Sequence, residues 1–306
     1  MKKLTVSTSS LIFGLGALSG LILLLLRAYQ VISFNEIHHV VTSGFEEESL
    51  FAMWKYLHGI PIYSDPHQIP FAASYFNWLF YSLYGSFISA TVNLFGLDEA
   101  WIPTIGRCIT LCVVAIGFCV NYQLFTSKKV NTHPLPFLLA ISLSAVLWLG
   151  PLIGFWAMTV RPDVIALFFD LCAVFYLLKY LPTHILVGVV SAALWCYLSW
   201  ACKQVNIVMP VAIGLFLLVE KRWQAFILFS VLLGSCYALT LLLANYNLLK
   251  TLFFINTAIP LSFDVFFENL IAFIKKALPA WLLFIVVLAK RFLAKHLPKR
   301  FSKTKW

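Results

Sequence analysis

Residues 11–26 read LIFGLGALSGLILLLL, an apolar run that contains no charged residue. With its flanking residues, this run is close to the roughly 20 residues that an α-helix needs to cross a bilayer. Similar runs recur along the 306 residues, of which 61% are hydrophobic and 11% are charged, and the mean hydropathy is +0.90. The sequence therefore predicts an all-α polytopic membrane protein and argues against a water-soluble globular fold.

The first apolar run is predicted to remain in the membrane as an uncleaved anchor. It follows Lys2 and Lys3, as a signal peptide would, but Arg27 and a polar loop come after it without a convincing small-residue cleavage site. Gly16 and Gly20 form a GxxxG motif within the run. This spacing lets a second helix approach closely, although it also arises by chance in apolar segments.

The orientation of the chain follows from lysine and arginine, which are enriched in cytoplasmic loops. Residues 70–96 are rich in aromatic and small polar side chains, a composition typical of an interfacial helix. If they do not cross the membrane, the lysines at 128–129 and the basic tail at about 290–306 both lie on the cytoplasmic side. A crossing at 70–96 would reverse every later orientation. We prefer the first alternative, which gives about eight spans with both termini cytoplasmic. The predicted spans are residues 11–30, 101–125, 134–158, 164–180, 185–200, 205–219, 225–246 and 278–293.

These spans predict one transmembrane domain over residues 1–306, in what we expect to be a cell inner membrane. Outer loops are expected at about 31–100 and 247–277, and residues 253–276 are amphipathic enough for a second interfacial helix or a plain connector. The basic tail is expected to contact anionic lipid. The net charge of +10 does not indicate nucleic-acid binding, because most cations lie in short inside loops and the tail.

Three adjacent carboxylates open the helical pattern of the first outer loop, which reads TSGFEEESLFAMWKYLHGIPIYSDP over residues 42–66. Glu46, Glu47 and Glu48 can stabilise a helix, because acids in a first turn meet the positive end of its dipole. One of them can also serve as a general base, because partial burial and adjacent like charges raise a carboxyl pKa toward the working pH. Both roles are compatible.

Three cations at the ends of predicted spans, Arg107, Arg161 and Lys203, fall on the outer side, against the positive-inside trend. They can extend to lipid phosphates or pair with nearby acids. They can also bind the phosphate of a lipid-linked substrate, since guanidinium and ammonium groups stabilise a phosphate leaving group. Asp163 is expected to pair with Arg161 or to contact an acceptor, and Asp65 is expected in an acceptor-binding or structural role.

Other polar residues carry weaker predictions. Asp170 lies seven residues after Asp163, hence on the same helix face, and is expected to be a protonated carboxyl bonded to a neighbouring helix. His38 and His39 have no second cluster with ligand spacing, so no metal site is predicted, and the need for a divalent metal stays open. The seven cysteines are predicted to be free packing residues.

The order of these motifs resembles the GT-C superfamily of membrane glycosyltransferases, especially its protein O-mannosyltransferase and aminoarabinose-transferase branch. The similarity extends from the first span to Glu220, and its motifs are short. They are Glu47-Glu48-Ser49-Leu50-Phe51-Ala52, Gly59-Ile60-Pro61-Ile62-Tyr63-Ser64-Asp65, Pro70, Tyr75-Phe76-Asn77-Trp78-Leu79-Phe80-Tyr81, Arg107, Arg161-Pro162-Asp163 and Lys203-Gln204.

The resemblance implies a GT-C-like helical bundle with interfacial helices in the first outer loop. It implies hexosyl or pentosyl transfer from a polyprenyl-phosphate-linked donor to an acceptor on the outer face. The acid at the reaction centre would be Glu47 or Glu48 by position, with Glu46 as a neighbour, and we prefer Glu47. The family often shows Asp followed by Glu where this chain has three Glu, so the register leaves both positions open. Arg107, Arg161 and Lys203 would bind the donor phosphate. Glu47→Gln and Arg107→Ala are then expected to abolish transfer without loss of folded protein.

The chain also departs from the family, whose members commonly carry further spans or a soluble domain after the shared helices. We therefore expect a minimal enzyme, a truncated product or one half of a complex with a partner subunit. The competing prediction is a non-catalytic transporter or lipid-sugar-handling subunit. Transport favours polar residues at mid-membrane and broken or repeated helices, whereas charges here concentrate at one face.

Overall fold

The computed structural model describes residues 8–33, 46–65, 74–128, 130, 134–255 and 262–296, and all regular secondary structure in these ranges is helical. The α-helices are α1 (Thr8–Ser33), α2 (Glu47–Leu57), α3 (Trp78–Phe95), α4 (Ile102–Thr126), α5 (Phe137–Trp148), α6 (Pro162–Tyr180), α7 (Ile185–Cys202), α8 (Val208–Val219), α9 (Trp223–Leu243), α10 (Tyr246–Lys250) and α11 (Phe263–His296). Short 3-10 turns precede α4 (Glu99–Trp101) and α6 (Gly154–Met158), and a π-helical turn follows α10 (Thr251–Ile255).

The described part of the chain contains 4 helices that are long and apolar enough to cross a membrane: Leu11–Ser33, Glu99–Thr126, Ile185–Cys202 and Trp223–Leu243. The helices Phe137–Trp148 and Val208–Val219 are apolar but shorter. The predicted all-helical, membrane-embedded class is therefore confirmed. The total of about eight spans, their orientation and the GT-C arrangement stay predictions.

Two predicted helices have different bounds in the structure. The expected span at 134–158 is wrong as a single helix, because α5 ends at Trp148 and Pro151 follows Gly150. Proline disfavours helical backbone in the residue before it and lacks an N–H, so the chain turns there. The predicted division between residues 253–276, an interfacial helix or a connector, and the span 278–293 is also wrong over the described residues. Helix α11 is continuous from Phe263 to His296, and Pro279 does not end it.

The GxxxG motif of α1 makes a close helix contact. A Cβ added to Gly20 would lie 2.5 Å from the Cβ of Ala145 on α5, and one on Gly16 would lie 3.3 Å from the Oγ of Ser142. Ser142 also donates a hydrogen bond of 2.5 Å to the carbonyl oxygen of Phe13. The small residues therefore let α1 and α5 approach as the motif predicts.

Helix α3 and the start of α2 form the part of the bundle that positions the candidate site. The Asn77 side chain accepts a hydrogen bond of 2.8 Å from the Trp78 N–H and so caps α3, while its Nδ2 donates to the Trp200 carbonyl at the end of α7. Buried aromatic rings of α3, including Phe80, Tyr81 and Tyr84, pack in the same core cluster as Met53 of α2. This packing fixes the first turn of α2 beside the first turns of α4 and α6.

Candidate functional site

The first carboxylate of the Glu triplet forms a buried ion pair with Arg107. Glu46 immediately precedes α2, and its Oε1 and Oε2 accept hydrogen bonds of 3.0 and 2.8 Å from Nε and Nη2 of Arg107 on α4. Both side chains are 0% exposed. The Val160 N–H, just before α6, donates a third bond of 2.8 Å to Glu46. The Glu46 carboxylate therefore connects the N-terminal ends of α2, α4 and α6.

The burial of Arg107 bears on its predicted role as a phosphate ligand. A guanidinium without exposed surface, and with two of its donors on Glu46, cannot also hold a substrate phosphate in this conformation. A buried charge must be paired, because removing it from water costs several kcal/mol. The geometry favours a supporting role for Arg107 and Glu46, whereas phosphate binding by Arg107 and catalysis by Glu46 stay predictions from the sequence.

Glu48 is the carboxylate of the triplet that lies between the helices in a partly exposed position. Its Oε1 accepts hydrogen bonds from the Tyr81 hydroxyl of α3 and, at 3.3 Å, from the Tyr75 N–H. Its Oε2 accepts a bond of 3.1 Å from Ser49. These donors hold one carboxylate rotamer, and Glu48 remains partly exposed.

The environment of Glu48 suits proton transfer near neutral pH. Burial raises the pKa of this carboxyl to about 7, and it outweighs the hydrogen bonds from Tyr81, Ser49 and Tyr75 and the Arg161 charge, which lower it. Burial likewise raises the pKa of Tyr81 well above its ordinary value, so the phenol remains a donor. A carboxyl with a pKa near the operating pH is the type of group that works as a general base.

A second charged group lies at the start of α6 and the end of α7. Asp163 accepts hydrogen bonds of 3.2 Å from the Nε of Arg161 and 2.5 Å from the Nζ of Lys203. The predicted Arg161–Asp163 pair is thus confirmed. Burial opposes ionisation of Asp163, but the Lys203 and Arg161 charges outweigh it and hold the pKa of this carboxyl below its usual range. Two cations on one carboxylate leave a net positive charge.

The segment that precedes α3 links Glu48 to these cations. The Tyr75 N–H bonds Glu48, and the Tyr75 carbonyl accepts a bond of 2.6 Å from Gln204, the residue after Lys203. The guanidinium carbon of Arg161 lies 4.9 Å from the centre of the Phe76 ring and 4.6 Å from that of Trp156. The Glu48 carboxylate and the Arg161–Asp163–Lys203 group are therefore neighbours across a two-residue backbone segment.

Buried polar groups beneath Glu48 brace this segment. Lys55 is fully buried and donates a hydrogen bond of 2.5 Å to the Ile62 carbonyl, which also accepts one of 3.0 Å from Ser74. Burial lowers the pKa of Lys55, against the opposing charge of Glu48. The Tyr63 hydroxyl donates a bond of 2.8 Å to the Phe76 carbonyl. Together these contacts fix the loop after α2 against the segment before α3.

A cavity of about 420 Å³ opens beside the Lys203 ammonium; we term it the α6–α8 cavity. Polar groups of Asp163, Lys203, Asp170 and Asn206 line it, with Trp156 and apolar side chains of α6 and α8 forming its other walls. The volume lies within the range of about 300–1,000 Å³ typical of small-molecule sites. A ligand in this cavity would contact Lys203 directly.

The structure thus brings together six of the predicted polar residues: Glu46, Glu48, Arg107, Arg161, Asp163 and Lys203. Glu47 opens α2 in a partly buried position, where its charge meets the helix dipole as predicted. Asp65 lies partly buried at the end of the described segment 46–65. His38 and His39 fall outside the described residues, and in the part of the chain that is described no group of three His, Cys, Asp or Glu side chains has metal-site geometry.

Tyr81, Tyr63 and Lys55 are site residues that sequence reasoning did not single out. Tyr81 lies in the aromatic segment Tyr75-Phe76-Asn77-Trp78-Leu79-Phe80-Tyr81, where its position opposite Glu48 is not marked by any local pattern. A lysine two residues before the end of an amphipathic helix, as Lys55 is, also resembles an ordinary surface residue. These contacts become visible only in the packing of α2, α3 and the segments between them.

Comparison with known proteins does not place the chain in a family. No protein-family model, no curated protein and no solved structure matches it. The function therefore has to be inferred from the site itself.

Proposed function

We propose that this protein is a membrane glycosyltransferase in which Glu48 is the general base and Arg161 and Lys203 bind the phosphate of a polyprenyl-phosphate-linked sugar donor. The observation that carries the proposal is the position of Glu48, a partly exposed carboxylate held by Tyr81 and Tyr75 beside a group with net positive charge. Glycosyl transfer from a phosphate requires a base for the acceptor and a neighbouring group that binds the anionic phosphate.

In the proposed step, an acceptor hydroxyl gives its proton to the Glu48 carboxylate while its oxygen forms a bond to the anomeric carbon of the donor. The bond between that carbon and the phosphate oxygen breaks, and its electron pair remains on the phosphate. Arg161 and Lys203 stabilise this developing charge by charge-assisted hydrogen bonds. Asp163 keeps the two cations together in the absence of substrate.

The buried Glu46–Arg107 pair has a positioning role in this proposal. Glu46 fixes the residue that starts α2 to α4 and, through Val160, to the backbone beside Arg161. Glu48 and Arg161 are each only one or two residues from these contacts. A shift of about 1 Å in either group would lower the rate, because transfer depends on the alignment of base, acceptor and phosphate.

The surroundings of the proposed reaction follow from the same residues. The polyprenyl chain would lie in the bilayer, in contact with the four apolar helices, and the sugar would be a hexose or a pentose. We propose that Glu48 and the Arg161–Asp163–Lys203 group face the outer side of a cell inner membrane, with both termini in the cytoplasm. This placement makes the extracytoplasmic acceptor and any partner subunit accessible from one side.

A transfer assay with the full-length protein in lipid nanodiscs tests the proposal. Radiolabelled polyprenyl-phosphate sugars and an extract of candidate acceptors are supplied, and label released from the lipid is counted. We expect transfer by the wild type and a loss of at least about 100-fold in Glu48→Gln, the range typical of a lost general base. Glu220→Gln, at an exposed acid after α8, is the matched control and is expected to retain activity.

Three other outcomes separate this proposal from its alternatives. Lipid-sugar binding without turnover by the wild type would favour the non-catalytic alternative, a transporter or lipid-sugar-handling subunit. Equal transfer by Glu48→Gln and the wild type would exclude Glu48 as the base. Absence of binding to any polyprenyl phosphate would refute the donor class.

A further inference from the structure

The α6–α8 cavity has a polar end that the proposed reaction does not use. Asp170 lies two turns further along α6 than Asp163, a rise of about 10 Å, and both side chains line the cavity. Lys203 and Asn206, from the turn between α7 and α8, line it opposite them. One end of the cavity therefore presents a cation and the other a carboxylate.

The Asp170 carboxylate is not fully satisfied by the protein. The residue is only 7% exposed, and its Oδ1 has no hydrogen-bond partner among the described residues. Its Oδ2 accepts a long bond of 3.4 Å from the Nδ2 of Asn206, which also donates a bond of 3.1 Å to Ser199. A buried acceptor without a partner lowers the stability of the folded protein by about 1–3 kcal/mol, so a ligand that donates to Oδ1 would recover this stability.

The expectation that Asp170 bonds a neighbouring helix is met only in part. Asn206 is in the α7–α8 turn, and its contact engages one oxygen. The Asp170 side chain lines a cavity large enough for a small ligand. Because a buried polar group without a partner is costly, an unused acceptor points to a bound group rather than to packing.

We propose that the α6–α8 cavity binds the monosaccharide of the lipid-linked donor, with Asp170 accepting a hydrogen bond from a sugar hydroxyl. This inference rests on the proposed function, since Lys203 at the mouth of the cavity would hold the donor phosphate. The rise from Asp163 to Asp170 is about 10 Å. A sugar and its attached phosphate are long enough to extend between these two side chains. Trp156 supplies an aromatic wall against which the C–H groups of a sugar ring can pack.

The charge distribution favours a sugar phosphate over a wholly apolar occupant. A lipid tail would leave Oδ1 of Asp170 without a donor, at a cost in free energy. A free anion would satisfy Lys203 but would meet repulsion at Asp170. A neutral polyol attached to a phosphate matches both ends of the cavity.

Equilibrium binding to two lipids tests the inference without requiring turnover. The probes are polyprenyl phosphate and the same lipid carrying glucose, mannose or arabinose, titrated against full-length protein in nanodiscs. We expect the wild type to bind at least one sugar-bearing lipid about 10-fold or more tightly than bare polyprenyl phosphate, because a donor to a buried oxygen that otherwise lacks a partner has this effect. Asp170→Ala is expected to abolish that preference and to leave the affinity for the bare lipid unchanged.

Asp170→Asn provides the shape-matched variant, since it keeps the side-chain volume and the contact with Ser199 and Asn206. Its thermal unfolding is expected to match that of the wild type, and its sugar preference to fall severalfold. Glu220→Gln is expected to retain the full preference.

The remaining results separate the two proposals. A sugar preference that survives in Asp170→Ala, or in Asp170→Asn if the alanine variant fails to fold, would overturn this inference and leave the transferase proposal intact. Equal binding of bare and sugar-bearing lipids by the wild type would overturn it as well. Binding of neither lipid would overturn both proposals.

Discussion

Breaking the Glu46–Arg107 pair is expected to destabilise the protein rather than to change substrate binding. In Arg107→Met, the Glu46 carboxylate remains fully buried and keeps the 2.8 Å bond from the Val160 N–H, but it loses the Nε and Nη2 donors at 3.0 and 2.8 Å. Removal of one partner of a buried ion pair costs about 3–5 kcal/mol, because an uncompensated charge is left inside. This corresponds to a decrease of roughly 150- to 5,000-fold in the folding equilibrium constant.

The double variant Glu46→Gln/Arg107→Met gives the decisive comparison. Glutamine removes the buried charge but keeps an Oε1 acceptor for the Val160 N–H, so no strong donor is orphaned. Replacement of both charges is often close to neutral. We therefore expect the double variant to recover most of the loss, to within about 1–2 kcal/mol of the wild type.

Reversible unfolding in mixed detergent micelles, followed by tryptophan fluorescence, measures both values. A loss below about 1 kcal/mol in Arg107→Met would refute the reasoning, since such a value is typical of an exposed pair. A double variant as unstable as the sum of the two single variants would refute it too. The expectation from sequence, that Arg107→Ala abolishes transfer without loss of folded protein, is replaced by this prediction.

Three further predictions concern the carboxylate, the cations and the packing. The pKa of Glu48 is raised to about 7 and the base must be ionised, so kcat/KM is expected to fall as the pH drops below 7. Tyr81→Phe loses a hydrogen bond to the ionised carboxylate, so the acidic limb of its pH–rate profile is expected to move to higher pH. Lys203→Met is expected to raise the Kd for polyprenyl phosphate by roughly 10- to 100-fold, as measured by titration in nanodiscs. Gly117→Ala, whose Cβ would lie 2.3 Å from an indole ring, is expected to lower the free energy of unfolding by about 1–3 kcal/mol, whereas Gly14→Ala, with nothing within 4 Å, should not. An unmoved pH limb, an unchanged Kd or equal stability of the two glycine variants would contradict the corresponding prediction.

Apolar runs carried enough information to predict most helices of the bundle. The bounds of α6 and α7 differ by at most about two residues from the predicted spans, because long apolar segments favour one structure in lipid. The contact at Gly20 was also predictable from residue size and spacing. The end of α5 at Trp148 and the continuity of α11 were not, since they depend on how one proline is accommodated in each segment.

The candidate site was predictable as a set of charges but not as a set of roles. Adjacent residues on a helix point about 100° apart, so the triplet must present its carboxylates to different surroundings. The packing of α2 against α4 and α3 decides which carboxylate contacts Arg107 and which contacts Tyr81. The two contacts join residues that are 61 and 33 positions apart in the sequence. Such long-range pairing leaves no local pattern, and it moves the proposed base from Glu47 to Glu48.

A single-turnover comparison of Glu47→Gln and Glu48→Gln determines which carboxylate is the base. Each full-length variant is loaded with the radiolabelled lipid-sugar that the wild type turns over, and the rate of label transfer is measured at pH 7 together with the amount of folded protein. The account predicts a loss of about 100-fold or more for Glu48→Gln and no more than a severalfold loss for Glu47→Gln. The reverse order, or equal rates for both folded variants, would contradict the assignment of Glu48 as the base.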